Sequence, residues 1–379
     1  MTEKELLKII ESFIQMYSDT MPVRGTSVKD LDESVVKKYL LNRFATYFDR
    51  QGVSLAELSH KAVGEVVGAI GKDLTLESLL INAGLVLPDG TLTIAALILM
   101  GKYPQRWLPA FTLRCVSYIG NSIGGTEFRD KSNGDADGNA LHQYEYAMSF
   151  LTRNLRNVQV KDDFNSLGEL EISTVTLSEL MVNAILHRSY VTEVPLRVFV
   201  FDNRVEIHSP GLLPKGIDTD NIRKGISMPR NKLLFSHGIF LLPYTGAGSG
   251  IVRALENTPD LTFVNDGDAN EFVAVINRKE TVVKSLQNSG DKKQKTEKPT
   301  DKKHHKAEKK DIAELDETIL AFCRQPKSAR EILNHIGYSY HSYNIAKFIR
   351  PLVEQGHLTL TNPEVPNDKR QKYITFAQH

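Results

Sequence analysis

The chain has 379 residues, with 47 lysine and arginine against 46 aspartate and glutamate side chains and 41% hydrophobic residues. That length suits two or three domains with substantial cores, and the near-neutral balance excludes a whole-protein field drawing the chain to nucleic acid or a membrane. Two distant cysteines, Cys115 and Cys323, exclude a disulfide framework and a CxxC zinc site.

The opening MTEKELLKIIESF is charged and helical rather than a basic-then-apolar leader, and the longest apolar run, Ile94 to Met100, is too short to span a bilayer. A cytoplasmic protein with no membrane partner is expected. Residues 34–48 and 142–157 then read as helices and 111–119 and 194–208 as strands, an order that implies an α/β or α+β unit. SNGDADGN, residues 132–139, is a polar loop between its halves.

In LSELMVNAILHRSY, residues 177–190, Glu179, Asn183 and His187 recur at intervals of four. On a helical wheel Leu177, Leu180, Met181 and Ala184 form an apolar face, with Glu179, Asn183 and Tyr190 opposite and His187 flanking. Residues four apart lie about 6 Å from one another on a helix surface. A carboxylate can orient or deprotonate water and an amide oxygen can ligate Mg²⁺, so Glu179 is the candidate catalytic group and Asn183 the candidate metal ligand at a metal-bound phosphate. A set that merely fixes the helix against neighbouring strands is the alternative.

PLRVFVFDNRVEIHSPGLLP alternates as a hairpin, with Asp202 and Asn203 as a turn able to reach positive φ, and delivers Ser209-Pro210-Gly211 to a sheet end. PYTGAGSGIVRALEN sets Gly246, Gly248, Ser249 and Gly250 before an amphipathic helix, where backbone N–H groups and the helix dipole would face an anion. An ordinary flexible loop has the same composition.

Residues 289–311 carry no apolar side chain larger than alanine and read as a linker, within a stretch, 279–310, that holds eleven lysines against five acids. After it, helices over 315–323, 328–336 and 341–355 precede two strands in HLTLTNPEVPNDKRQKYITF, the order of a winged helix. In the third helix Ile345, Phe348, Ile349, Leu352 and Val353 make a core stripe, and Pro351 predicts a kink or an early end. Bound to DNA, such a unit would turn Ser342, Asn344, Lys347 and Arg350 to the major groove and Lys369, Arg370 and Lys372 to phosphates, with the lysine-rich linker adding contacts. The same architecture also serves protein contacts.

LSELMVNAILHRSY, the strand pair ending in SPGLLP, SMPRNKLLFSHGIF and GAGSGIVRAL resemble, in that order, the ATPase-like domain of proteins labelled RecG-like helicases or transcriptional regulators. TLTIAALILMGKYPQRWLPAFTLRCVSYIG resembles the segment before it, and LTLTNPEVPNDKRQKYITF the winged-helix C-terminus of some Fic-type proteins. The resemblance implies a GHKL-type fold binding ATP and Mg²⁺, with Glu179 activating water, Asn183 holding the metal, and His187, Ser209, Gly211, Gly246, Gly248, Ser249 and Gly250 around the nucleotide. In GHKL proteins Asp-x-Gly-x-Gly stands where this chain has Ser209-Pro210-Gly211, and a neutral hydroxyl is the weaker acceptor for an adenine amino group. No GxxxxGK[ST] occurs, so no helicase motor is expected. Relatives often begin with a Schlafen/AlbA-type domain, and this chain starts where that module would end.

The expected division is an N-terminal helical and α/β region (1–165), a GHKL-like ATPase domain (166–278), a lysine-rich linker (279–310) and a winged helix (311–379). The expected function is a DNA-binding transcriptional regulator with a nucleotide-sensing core, acting as a homodimer. The rivals are an idle ATPase-like scaffold for protein contacts and a slow Mg-dependent ATPase.

Overall fold

The computed structural model describes residues 6, 18–123, 127–158, 168–244, 249–278, 307–336, 344–362 and 371–375. It divides into two compact units, Met1–Tyr118 with Glu127–Arg278, and Ile119–Thr126 with Lys279–His379. The first begins with helices α1 (Glu33–Arg43), α2 (Ala45–Arg50), α3 (Leu55–Ser59), α4 (Val63–Ile70), α5 (Leu76–Asn82) and α6 (Ile94–Met100). Side-chain caps decide where several of them start. Asp32 accepts from the N–H groups of Ser34 (2.9 Å) and Val35 (3.1 Å) at α1, and Thr93 from that of Ala96 (3.2 Å) at α6. The single helix expected over 34–48 is interrupted at Phe44, between α1 and α2. Ala95 through Met100 are all buried, so the apolar run is a core helix. No helix among the described residues is long and apolar enough to cross a membrane.

Then come β1 (Leu113–Tyr118), β2 (Phe128–Lys131), α7 (Ala140–Asn154), a short pair β3 (Asn157–Val158) and β4 (Glu169–Leu170), α8 (Thr174–His187), β5 (Leu196–Val200), β6 (Arg204–Pro210), α9 (Thr219–Arg223), α10 (Lys232–Gly238), α11 (Gly250–Asn257), β7 (Thr262–Asp266) and β8 (Glu271–Asn277). Six strands form one mixed sheet in the order β2-β1-β5-β6-β8-β7, giving the expected α/β architecture. β1 runs parallel to β5 with Leu113 opposite Leu196, and the other neighbours are antiparallel. A parallel pair needs a long crossover, which here carries α7 and α8. One hydrophobic core therefore runs from Val23 to Ile276.

All seven residues of β6 are buried. Val205 and Ile207 enter the main core, while the alternate residues Arg204, Glu206 and His208 lie on the other face of the strand. Buried charges must be paired, and these are. Arg204 Nε donates to Glu206 Oε1 at 2.7 Å, His208 Nε2 lies 2.9 Å from Glu206 Oε2, and His208 Nδ1 lies 3.0 Å from Glu271 Oε1. Glu271 is paired in turn with Arg197. Burial opposes the charged form, but hydrogen bonds donated to the Glu206 and Glu271 carboxylates together outweigh it and raise the His208 pKa, favouring the imidazolium. The β5–β6 turn closes through Phe201 N–H to Arg204 O at 2.8 Å. It needs no left-handed residue: among the described non-glycine residues only Asn270 has positive φ.

In the second unit α12 (Ala307–Phe322) leads to β9 (Lys327–Ser328), α13 (Ala329–His335), a π-helical turn (Ile345–Ile349), α14 (Arg350–Glu354), β10 (Leu358–Leu360) and β11 (Lys372–Thr375). The strands pair in the order β10-β11-β9. The linker expected over 279–310 is helical from Ala307, where alanine, glutamate and lysine all favour helix. Residues 279–306 lie outside the described residues. Phe348, Ile349 and Leu352 pack with Ile319, Ile332, Leu333 and Leu358, flanked by Ile345 and Val353. The kink expected at Pro351 takes the form of the π turn just before it, in which Arg350 N–H reaches back five residues to Ile345 O.

Glu171 anchors the end of the first unit. Its buried carboxylate holds Arg156 Nη2 at 2.6 Å and Arg278 Nη2 at 2.7 Å, and these hydrogen bonds keep its pKa below the usual carboxylate range despite burial. Glu171→Ala leaves Arg278 buried without its counter-charge. Urea denaturation should show a loss of about 3 kcal/mol, and an unchanged midpoint would refute this role.

Candidate functional site

The last turn of a helix leaves carbonyls without intrahelical partners, and at α8 side chains from elsewhere supply them. Ser209 Oγ donates to Ala184 O (3.1 Å), Tyr190 Oη to Ile185 O (2.7 Å), and Asn231 Nδ2 to Leu186 O (2.8 Å). The chain leaves the helix at Arg188 in extended conformation, so Tyr190 belongs to this closure and not to a helical stripe. Ser189 N–H meets Pro210 O at 2.7 Å, fixing the end of α8 against the end of β6. Gly211 follows with φ +92°, where an added Cβ would lie 2.6 Å from Ser189 Cβ and 2.7 Å from Arg230 Nη1. Only glycine suits that close approach.

Between α8, β6 and β8 lies a hollow of about 100 Å³. Leu180, Ala184, Ile207, Phe272 and Ala274 give it apolar walls, and the segment after Gly211 closes one side with Ile222, Ile226 and Met228. Asn183, His187, Ser209, Gly211 and Gly250 all line it. Asn183 Nδ2 donates to Glu179 O at 2.6 Å, which leaves the amide oxygen as the atom type this side chain could offer a cation. His187 packs edge-on against Phe235, which packs against Tyr244. Burial and the neighbouring Arg230 push the His187 pKa down to about 4, so it meets a ligand as a neutral ring rather than as a cation. Burial, with Glu179 close by, pushes the Tyr244 phenol up to about 12.

Glu179 sits beside this hollow rather than in its wall. Its carboxylate is paired with Arg253 on α11, and Oε2 has no hydrogen-bond partner among the described residues. The start of α11 is seated directly on it: a Cβ on Gly250 would lie 2.2 Å from Glu179 Oε2. Ser249 stands at the N-cap of α11 without a side-chain bond to the first turn.

Residues 194–273 match the model of the family described as "Putative ATP-dependent DNA helicase recG C-terminal". This segment resembles an HATPase-type domain. It contains β5, β6, Ser209, Gly211, Ser249, Gly250 and Arg253, whereas Glu179 and Asn183 lie before it; the fold brings Asn183 to the same hollow and Glu179 beside it. No curated protein matches the chain. A solved structure, the DIP2311 protein from Corynebacterium diphtheriae, is similar at 18% identity and a TM-score of 0.47, covering 70% of this chain and 48% of that one. The chain thus spans about half the length of that protein.

Among the other sequence candidates, Gly246 and Gly248 lie outside the described residues, as do Ser342, Lys369 and Arg370. Arg350 and Lys372 are exposed in the second unit. Lys347 lies in the π turn. Asn344, expected on an outward face, is buried, because one α-helical wheel drawn over 341–355 loses its phase where the π turn adds a residue. Sequence reasoning missed Arg253, whose place four residues into a helix carries no signal of its contact with Glu179. It also missed Asn231 and Arg230, although both lie in the quoted SMPRNKLLFSHGIF; Arg230 Nη2 donates to Leu212 O.

A depressed histidine sets a pH dependence. Unfolded His187 takes up a proton near its ordinary 6.5, whereas the folded ring resists until about 4. Its contribution is therefore complete above pH 6.5 and is lost as pH falls from 6.5 toward 4. Chemical denaturation across that window should show a shallower acid loss for His187→Gln than for the natural chain. Parallel profiles would contradict a neutral His187.

Proposed function

We propose that the first unit is a nucleotide sensor and that the second carries its output to DNA. One observation supports the sensor reading above the rest: Asn183, His187, Ser209, Gly211 and Gly250, from three separated segments, converge on one apolar hollow. Its walls suit a planar base. The Ser209 hydroxyl gives its hydrogen to Ala184 O and keeps oxygen lone pairs for a donor such as an adenine amino group. The hollow is smaller than the 300–1,000 Å³ or so of a full ligand site, so sugar and phosphates would extend toward the uncapped first turn of α11.

The residues fit Mg²⁺ only as a nucleotide-borne ion. No cluster of three or more acidic, histidine or cysteine ligands exists among the described residues, and Asn183 supplies a single neutral oxygen. Mg²⁺ of that kind is held largely by phosphate and water and would neutralise phosphate charge when bound. Glu179 is engaged by Arg253, which favours sensing over rapid hydrolysis.

For the second unit, a helix-strand-helix-helix-strand-strand order with β9, β10 and β11 in one sheet supports a winged helix. Arg350 and Lys372 are its exposed cations among the candidates, and the lysine-rich stretch before it would add phosphate contacts without reading sequence. A two-fold operator would be met by a homodimer.

Calorimetry with ATP and Mg²⁺ should give measurable binding to the full chain, weakened roughly tenfold by Asn183→Ala. No heat with the natural chain would remove the nucleotide reading. DNA affinity should fall steeply with salt, and deleting 289–310 should flatten the slope. A salt-independent signal would turn the second unit toward protein contacts.

A further inference from the structure

The contact between Glu179 and Arg253 is more than a support for the fold. The Glu179 side chain is 5% exposed and that of Arg253 40% exposed, so the guanidinium bridges a buried acid and the accessible side of α11. Both partners keep an unused group: Glu179 Oε2 and Arg253 Nε are buried without hydrogen-bond partners among the described residues. Helical side chains lean toward the helix N-terminus, which brings Arg253 back over the first turn, whose N–H groups Ser249 leaves uncapped. Two anion-attracting elements, a helix start and a guanidinium, thus meet at Gly250 on the rim of the hollow.

Resting on the nucleotide reading above, we infer that Arg253 is a displaceable clamp: it holds Glu179 and transfers to the terminal phosphate of a nucleoside triphosphate when one binds. The hollow's base end is marked by Ala184, whose carbonyl takes the Ser209 hydroxyl, and Glu179 is five residues back along α8. At 1.5 Å per residue the clamp lies about 7.5 Å along the helix axis from that end. That is beyond the reach of a base alone and within the run of a phosphate chain. Arginine binds phosphate oxygens bidentately, and a phosphate carries more charge than the single carboxylate it displaces. Transfer leaves the buried Glu179 carboxylate without its counter-charge, a cost that the triphosphate contact must exceed, while the first turn of α11 gains an anion, so the same event discriminates the ligand and loosens the joint between α8 and α11. Arg253 is a specificity and positioning residue in this scheme.

The test is calorimetry on the full chain with Mg²⁺-ADP and with a non-hydrolysable Mg²⁺-ATP analogue, comparing their affinity ratio. The natural chain should favour the triphosphate roughly tenfold. Glu179→Gln, which removes the competing acceptor, should widen that preference, and Arg253→Met should abolish it. The double substitution Glu179→Gln with Arg253→Met leaves no unpaired charge, and it should also show no preference even if Arg253→Met alone fails to fold. A natural chain that binds both nucleotides, with the double substitution keeping its ratio, would overturn the clamp and leave nucleotide binding intact. Binding of neither nucleotide by the natural chain would overturn both.

Discussion

A carboxylate removed from water must be given a counter-charge, and the arrangement of the first unit follows from how Glu179 meets that demand. Among the described residues its paired cation, Arg253, arrives from α11, which brings the start of that helix against α8. A Cβ at Gly250 would displace the carboxylate, which occupies the space a side chain would need. Gly250 and the start of α11 are thereby held at the rim of the hollow. Fold and candidate chemistry share this contact, and neither is separable from it.

The same rule governs the rest of the unit. Glu171 is shared by two arginines, and Glu206, His208 and Glu271 alternate with Arg204 and Arg197 along the far face of the sheet. These chains replace the apolar packing expected of fully buried strands. Interactions of this kind contribute less net stability than their number suggests, since each charge also loses its hydration. What they do supply is register: a slip of one residue in β6 would put Glu206 and His208 into the apolar core and strand their partners.

His187 shows how a buried setting alters a residue's chemistry. A protonated imidazole beside phosphates would be a natural counter-ion, yet burial and Arg230 hold this ring neutral. Positive character beside the hollow is then supplied by Arg253 and the first turn of α11.

Local patterns by themselves determined a good deal here. The alternation in 194–208 specified β5 and β6, and the i, i+4 spacing specified that Glu179 and Asn183 share one side of α8, because each depends on backbone periodicity and near neighbours. Contacts between distant segments were not written there. That β1 pairs with β5, that Arg253 faces Glu179, that Asn231 closes the end of α8, and that Asn344 is buried were decided by tertiary structure. The reason is physical: periodicity fixes which way a side chain leaves its own element, whereas its partner is chosen only when the chain closes on itself and every buried polar group must be satisfied at once.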